Sequence, residues 1–191
     1  EQEDFFITRQ SDTGWSSALN LGKPINTAQN EGAQSLSADG KTMYYSACNK
    51  SGGKGGCDIY ISRLQDGQWS EPKNLGEPVN SKYWESQPSI SPDGRTLYFS
   101  SNRKGGKGKK DLWLSRKNPD GTWTTPVNLG DSVNTSEDEM APFIHMDNKT
   151  LYFASDGWIG MGGLDLYRVQ KKSAEQWSSP KNLGYPINTH E

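Results

Sequence analysis

Four tryptophans, Trp15, Trp69, Trp123 and Trp177, stand 54 residues apart in a chain of 191. Asn20, Asn74, Asn128 and Asn182 keep the same step, as do Asn26, Asn80, Asn134 and Asn188, and Glu31, Glu85 and Glu139. A fixed period of this size confines the chain to one supersecondary unit stacked repeatedly, as in a propeller or a solenoid. SLSADGKTMYYSACNKSGGKGGCDIYIS (35–62), SISPDGRTLYFSSNRKGGKGKKDLWLS (89–115) and FIHMDNKTLYFASDGWIGMGGLDLYRV (143–169) are three copies of that unit.

Each copy parses into four strands. In the second they are a (87–91), b (96–101), c (111–116) and d (123–128), with Asp93-Gly94 joining a to b as a hairpin signal. Four antiparallel strands per unit make a propeller blade, so the expected fold class is all-β, a β-propeller. Residues 1–30 supply half a blade (strands c and d), and 31–84, 85–138 and 139–191 supply three full ones. Closed propellers have about four to eight blades. The ring is therefore expected to be completed by flanking sequence or by another chain, the latter making a homo-oligomer. The first residue is Glu1 rather than Met, which reads as a processed or excised piece.

Composition narrows the function classes. With 31% hydrophobic residues, 21 Gly, 10 Pro and 7 Trp, the core is thin, and Trp and Tyr supply much of its buried area. A net charge of −2 gives no positive field for a nucleic-acid binder. Apolar runs of only a few residues exclude a membrane span.

The segment SPDGRTLYFSSNR (91–103) packs Ser, Asp and Arg closely enough to suggest catalysis. Ser91 and Asp93 recur as Ser37 and Asp39, and the third copy has His145 and Asp147. Polar side chains repeated at a turn are expected to bond that turn. Asp39, Asp93 and Asp147 are accordingly assigned to structure, as are the four repeated tryptophans.

The motif [ST]-P-D-G-[KR]-T-L-Y-F-S-S, best seen at 91–101, is followed by a glycine-rich loop and D-[IL]-[YW]. It resembles the WD40-like Pro-Asp repeat of TolB-type proteins. The longer form W-x-x-P-x-N-L-G-x-P-[IV]-N is similar to the propeller segment of OmpA-family envelope proteins of the Bacteroidota, including the PorE-like component associated with type IX secretion. In that family the propeller sits between a helical-repeat segment and a peptidoglycan-binding domain. The resemblance implies a periplasmic or outer-membrane-associated protein that binds protein partners, with glycan or peptidoglycan as a further class.

Cys48 closes strand b and Cys57 precedes strand c, with SGGKGG between them. Other copies carry Ser101 with Lys110, or Ser155 with Leu164, so the two cysteines come and go together. A disulfide is expected, and with it an exported protein; two unrelated thiols are the alternative.

Other chemistry is weakly signalled. GGKGGC (52–57) and GGKGKK (105–110) look like phosphate loops, but a strand follows each where a P-loop needs a helix. Only His145 and His190 could serve a triad or a zinc site. Glu137, Asp138 and Glu139 could offer oxygens to calcium, although Glu139 belongs to the repeating series. No cofactor or metal is expected. The d–a and b–c loops share one end of the propeller and carry aromatics outside the repeat, Tyr83, Trp84 and Trp158, beside Lys104, Lys107, Lys109 and Lys110. Such loop residues are candidates for partner binding. The sequence thus reads as a non-catalytic binding and scaffolding module. The alternatives are a sialidase-like propeller glycoside hydrolase and a self-assembling lectin.

Overall fold

The computed structural model describes residues 2–174 and 176–190, and every regular element among them is a strand. The chain opens with β1 (Phe6–Ile7), β2 (Gln10–Ser11), β3 (Gly14–Trp15) and β4 (Leu19–Asn20). In these, β1 pairs with β4 and β2 with β3. The next sheet holds β5 (Glu31–Leu36), β6 (Thr42–Cys48), β7 (Cys57–Gln65), β8 (Gln68–Trp69) and β9 (Lys73–Asn74). Then come β10 (Glu85–Ile90), β11 (Thr96–Ser101), β12 (Asp111–Arg116) and β13 (Val127–Asn128). The last sheet is β14 (Glu139–Ile144), β15 (Thr150–Ser155), β16 (Asp165–Gln170) and β17 (Lys181–Asn182). All pairings between these strands are antiparallel, and within the sheets β10–β13 and β14–β17 they follow chain order, which is the meander of a propeller blade.

Strand d departs from expectation. A single run from Trp123 to Asn128 is predicted, but an isolated bridge pairs Lys117 with Trp123 and regular pairing resumes only at Val127. The first full blade splits likewise into β8 and β9, on either side of Pro72. Proline at 72, 126 and 180 has no N–H for the ladder, so the strand breaks there.

Strand a of each blade carries a bulge at a residue with positive φ: Ala33 (51°), Gln87 (55°) and Ala141 (49°). The bulge turns backbone donors toward the neighbouring blade. Gln87 N–H donates to Ser46 Oγ (3.0 Å), Ala141 N–H to Gln87 Oε1 (2.9 Å), and Ile144 N–H to Ser89 Oγ (3.0 Å). The innermost strands β5, β10 and β14 consequently lie side by side around the central axis.

The blades are held together by small aromatic cores. Trp123 meets Tyr44 of the preceding blade edge-on at 6.2 Å, and Trp177 meets Tyr98 in the same way at 6.1 Å. Polar repeats fix the corners. Asn80 is fully buried, donating to Ile59 O and Asn74 Oδ1 and accepting from Ile59 N–H. Asn26, Asn134 and Asn188 repeat the bonds, so the periodic asparagines satisfy the backbone where strand d turns back toward strand a.

The turn aspartates bond their own hairpins. Ser91 Oγ donates to Asp93 Oδ1 (2.5 Å), which also accepts from Arg95 N–H (3.0 Å), and Asp39 does the same with Ser37 and Lys41. In the third copy Asp147 accepts from the Thr150 hydroxyl (2.7 Å) and the Lys149 N–H (2.8 Å).

Candidate functional site

The b–c and d–a loops do meet at one end of the blades. Lys109 N–H donates to Glu137 O, and Glu139 N–H to Lys110 O. Asn102 Oδ1 accepts from Trp84 N–H (2.9 Å), and Asp156 Oδ1 accepts from Asp138 N–H (2.9 Å). Each b–c loop is thereby stapled to its neighbouring d–a loops.

The glycine-rich loops already have their anion. In GGKGGCD the N–H groups of Lys54 and Gly55 donate to the Asp58 carboxylate, and Asn74 Nδ2 adds a third bond at 2.8 Å. Asp111 is held by the N–H groups of Lys107 and Gly108, and Asp165 by that of Met161. A strand c carboxylate thus fills the concavity that a phosphate would need. Gly53 and Gly106 are required by this fit, since a Cβ on either would strike the aspartate.

Cys48 and Cys57 form a disulfide across directly opposed positions of β6 and β7. The pairing refines the alignment. Glu31 faces Ala47 as Glu85 faces Ser101 and Glu139 faces Ser155, so the counterparts of Cys48 are Asn102 and Asp156 rather than Ser101 and Ser155. The bridge replaces the side-chain staple found in the next two blades. Cys57 also makes a parallel bridge to Trp84, tying the disulfide to the d–a loop.

Trp84 is half-buried at that junction, with Lys110 Nζ 5.6 Å from its ring centre, and Tyr83 is half-buried beside it under Lys82. Trp158 belongs to the following junction. It packs on the core of the last blade, and its indole N–H donates to Val133 O at 2.9 Å. The two tryptophans therefore serve successive junctions. Lys107 pairs with Asp131 (3.1 Å), Lys109 with Glu137 (2.5 Å) and Lys110 with Asp138 (3.4 Å), whereas Lys104 is exposed at its loop. The acidic run is divided: Glu139 turns inward to Thr135 and Ser155, and its two neighbours face lysines.

One residue was missed from sequence. Arg103 Nη2 reaches the fully buried Glu85 at 3.0 Å and also donates to Val79 O, while its guanidinium lies 5.1 Å from the Phe99 ring centre. Burial depresses its pKa, and Glu85 opposes that effect. The available signal was that this arginine does not repeat: the same position is Asn49 in one blade and Gly157 in another.

No family model matches the chain, and no curated protein matches it. Solved structures do. TolB from Acinetobacter baumannii superposes with a TM-score of 0.62 at 15% identity, covering 96% of this chain and 38% of its own. The fold is a β-propeller's. An α-L-arabinanase from Penicillium chrysogenum gives 0.59 at 15% identity, covering 99% and 61%. An α-L-arabinofuranosidase from Lactobacillus brevis gives 0.57 at 13%, covering 87% and 59%. The chain thus spans between about two-fifths and three-fifths of these relatives' own length.

These likenesses correct one expectation. The repeat leads to the expectation of a chain without catalytic role, yet the structures that share this fold include several enzymes as well as TolB. Besides the two glycosidases they include a puromycin-hydrolysing peptidase of Mycobacterium tuberculosis (17% identity) and the microbial sialidase Hz136 (13%). Repetition of the conspicuous carboxylates, the ground for expecting no catalysis, is a property of the scaffold. It says nothing of groups that a propeller carries outside its repeat.

Proposed function

We propose that this propeller is a binding and scaffolding module of the bacterial cell envelope whose loop face takes a protein partner. The observation that carries the reading is the set of residues on that face that depart from the repeat: Tyr83 and Trp84 on one d–a loop, with Lys104 exposed on the adjoining b–c loop. Where the fold alone dictates the sequence, these positions hold small or polar groups, Gln29 and Asn30 in the preceding blade and Glu137 and Asp138 in the next. A tryptophan and a tyrosine side by side on a loop have the composition of an interface anchor.

The Cys48–Cys57 bridge fits an exported protein. The resemblance of the W-x-x-P-x-N-L-G-x-P-[IV]-N segments to OmpA-family and PorE-like proteins supports a periplasmic site at the outer membrane and a link to type IX secretion. Peptidoglycan is a further ligand class that this resemblance suggests. Trp84→Ala combined with Lys104→Glu should weaken capture of envelope proteins from a Bacteroidota extract at least about tenfold. The thermal midpoint should stay near that of wild type. Unchanged capture by the double variant would rule out this face.

A further inference from the structure

Away from the loop face, the outer wall repeats a groove between successive blades. Ile61 and Arg63 of β7, Leu75 and Pro78 of the following turn, and Trp123 of the next blade line a cavity of 320 Å³. One period earlier Ile7, Arg9, Leu21, Pro24 and Trp69 line its counterpart, of 550 Å³. The third copy is closed. There Arg116, which faces Thr96 as Arg63 faces Thr42, donates to Ala174 O at 3.0 Å, and Trp177 is only 5% exposed. The same arginine thus has a structural partner in one groove. In the other two, Arg9 and Arg63 are exposed, and neither guanidinium makes a hydrogen bond or ion pair among the described residues.

Charge and surface then narrow the ligand. Lys73 and Lys117 join Arg63 at the second groove, and Glu77, which also lines it, is engaged by Lys54 at 3.1 Å. Lys23 joins Arg9 at the first, where no carboxylate lines the cavity. Both grooves are therefore cationic. Each is lined by a half-buried indole, Trp69 in the first and Trp123 in the second, where Lys117 Nζ lies 5.8 Å from the ring centre. The indole surface left open can take the C–H face of a sugar ring beside a guanidinium suited to a carboxylate. An adjoining recess of 370 Å³ adds Ser70, Gln65 and Glu71 as partners for hydroxyl groups.

We propose that these two grooves bind an acidic saccharide, a carboxylated sugar ring resting on Trp69 or Trp123 with its carboxylate held by Arg9 or Arg63. Equivalent grooves one blade apart suit a polymer that repeats its charge, since the second contact becomes intramolecular. This surface is distinct from the loop face, so it stands or falls separately from the partner-binding reading.

The test is calorimetric titration of the 191-residue chain. The probes are oligogalacturonate and oligosialic acid, with a neutral malto-oligosaccharide and an oligoglutamate peptide as comparators. At least one acidic saccharide should bind at two sites per chain as a short oligomer, and oligomers long enough to span both grooves should bind more tightly at one per chain. Arg63→Gln and Arg9→Gln should each weaken one of the two sites about tenfold or more, and the double variant should weaken both, with an unchanged thermal midpoint. Four results would overturn the proposal: no binding of either acidic saccharide, equal binding of the neutral one, tighter binding of oligoglutamate, or full binding by the double variant.

Discussion

Glu85 and Glu139 occupy the same register position in adjacent blades, and both side chains are fully buried. Each accepts bonds from the residue four before it and from a strand b serine: Ser81 and Ser101 for Glu85, Thr135 and Ser155 for Glu139. Their difference is the cation. Glu85 has Arg103, whereas the position facing Glu139 is Gly157, and a Cβ there would strike Thr135. The carbonyl that Arg103 also serves, Val79 O, has its counterpart in Val133 O, which takes the Trp158 indole instead. One corner is thus closed by a buried ion pair and the next by an aromatic donor. The repeat tolerates either, because what it must satisfy is the carboxylate and the carbonyl.

The largest effect should come from breaking the ion pair from one side. Arg103→Met leaves Glu85 buried without its cation and should cost about 3–5 kcal/mol in chemical denaturation. Adding Glu85→Gln should recover part of that loss. Glu139→Gln, with no cation to abandon, should lie within about 1 kcal/mol of wild type at neutral pH. Its pH dependence sharpens the contrast. Burial raises the Glu139 pKa above its ordinary 4.5, aided by the charge of Asp111 and opposed by Thr135 and Ser155. A raised carboxyl binds its proton more tightly in the folded state. Its contribution is therefore full below the unfolded pKa and lost as pH rises through the folded one. Wild type should gain on Glu139→Gln in acid and lose that advantage toward neutrality. A flat difference across that range would mean that burial does not raise the Glu139 pKa.

The 54-residue step gave the blades and the a–b hairpins, because a repeated corner needs the same hydrogen bonds each time. The disulfide was legible because both cysteines vanish together in other copies. Three features were not. The broken strand d was hidden because Pro72, Pro126 and Pro180 repeat as faithfully as the strand residues around them. Arg103 looked like one more loop cation, since its burial depends on a fold around Val79 that only the packed blades create. Trp158 stands outside the repeat as Trp84 does, yet its indole is engaged by the backbone, and no pattern in the chain separates those two environments.

The first full blade differs from the others one residue before the Arg103 position. Its Cys48–Cys57 bridge stands where Asn102 and Asp156 bond the d–a loops of the following blades. The double change Cys48→Ser, Cys57→Ser should cost about 2–3 kcal/mol, the loop-closure term for a ring of this size. Cys48→Asn with Cys57→Lys copies the second blade and should recover part of it. If it recovers nothing, the bridge is more than a substitute for the staple.

The smallest effect belongs to the a–b turns, where two blades again differ. Gly94 holds φ at 69°, and Asn148 takes the same place at 56°. Gly94→Ala should cost about 1 kcal/mol, because a Cβ disfavours the left-handed region although the space around Gly94 is open. Asn148→Gly should cost about 0.5 kcal/mol or less, since asparagine already tolerates that conformation and gives up only an exposed bond from its Nδ2 to Asp93 (3.1 Å). The acids of these turns run opposite to Glu139. The Ser37 hydroxyl and the Lys41 N–H hold Asp39 below its ordinary 3.8, and the Thr150 hydroxyl and backbone do the same for Asp147. A lowered carboxyl contributes above the unfolded pKa and loses that contribution as pH falls through the folded one. Asp39→Asn and Asp147→Asn should therefore cost stability at neutral pH and approach wild type in strong acid, whereas Glu139→Gln should diverge from wild type there. Thermal midpoints of these variants across the acid range would show whether the two kinds of repeated carboxylate carry opposite signs. Parallel curves would mean that the turns are held by backbone geometry and not by the charge of their aspartates.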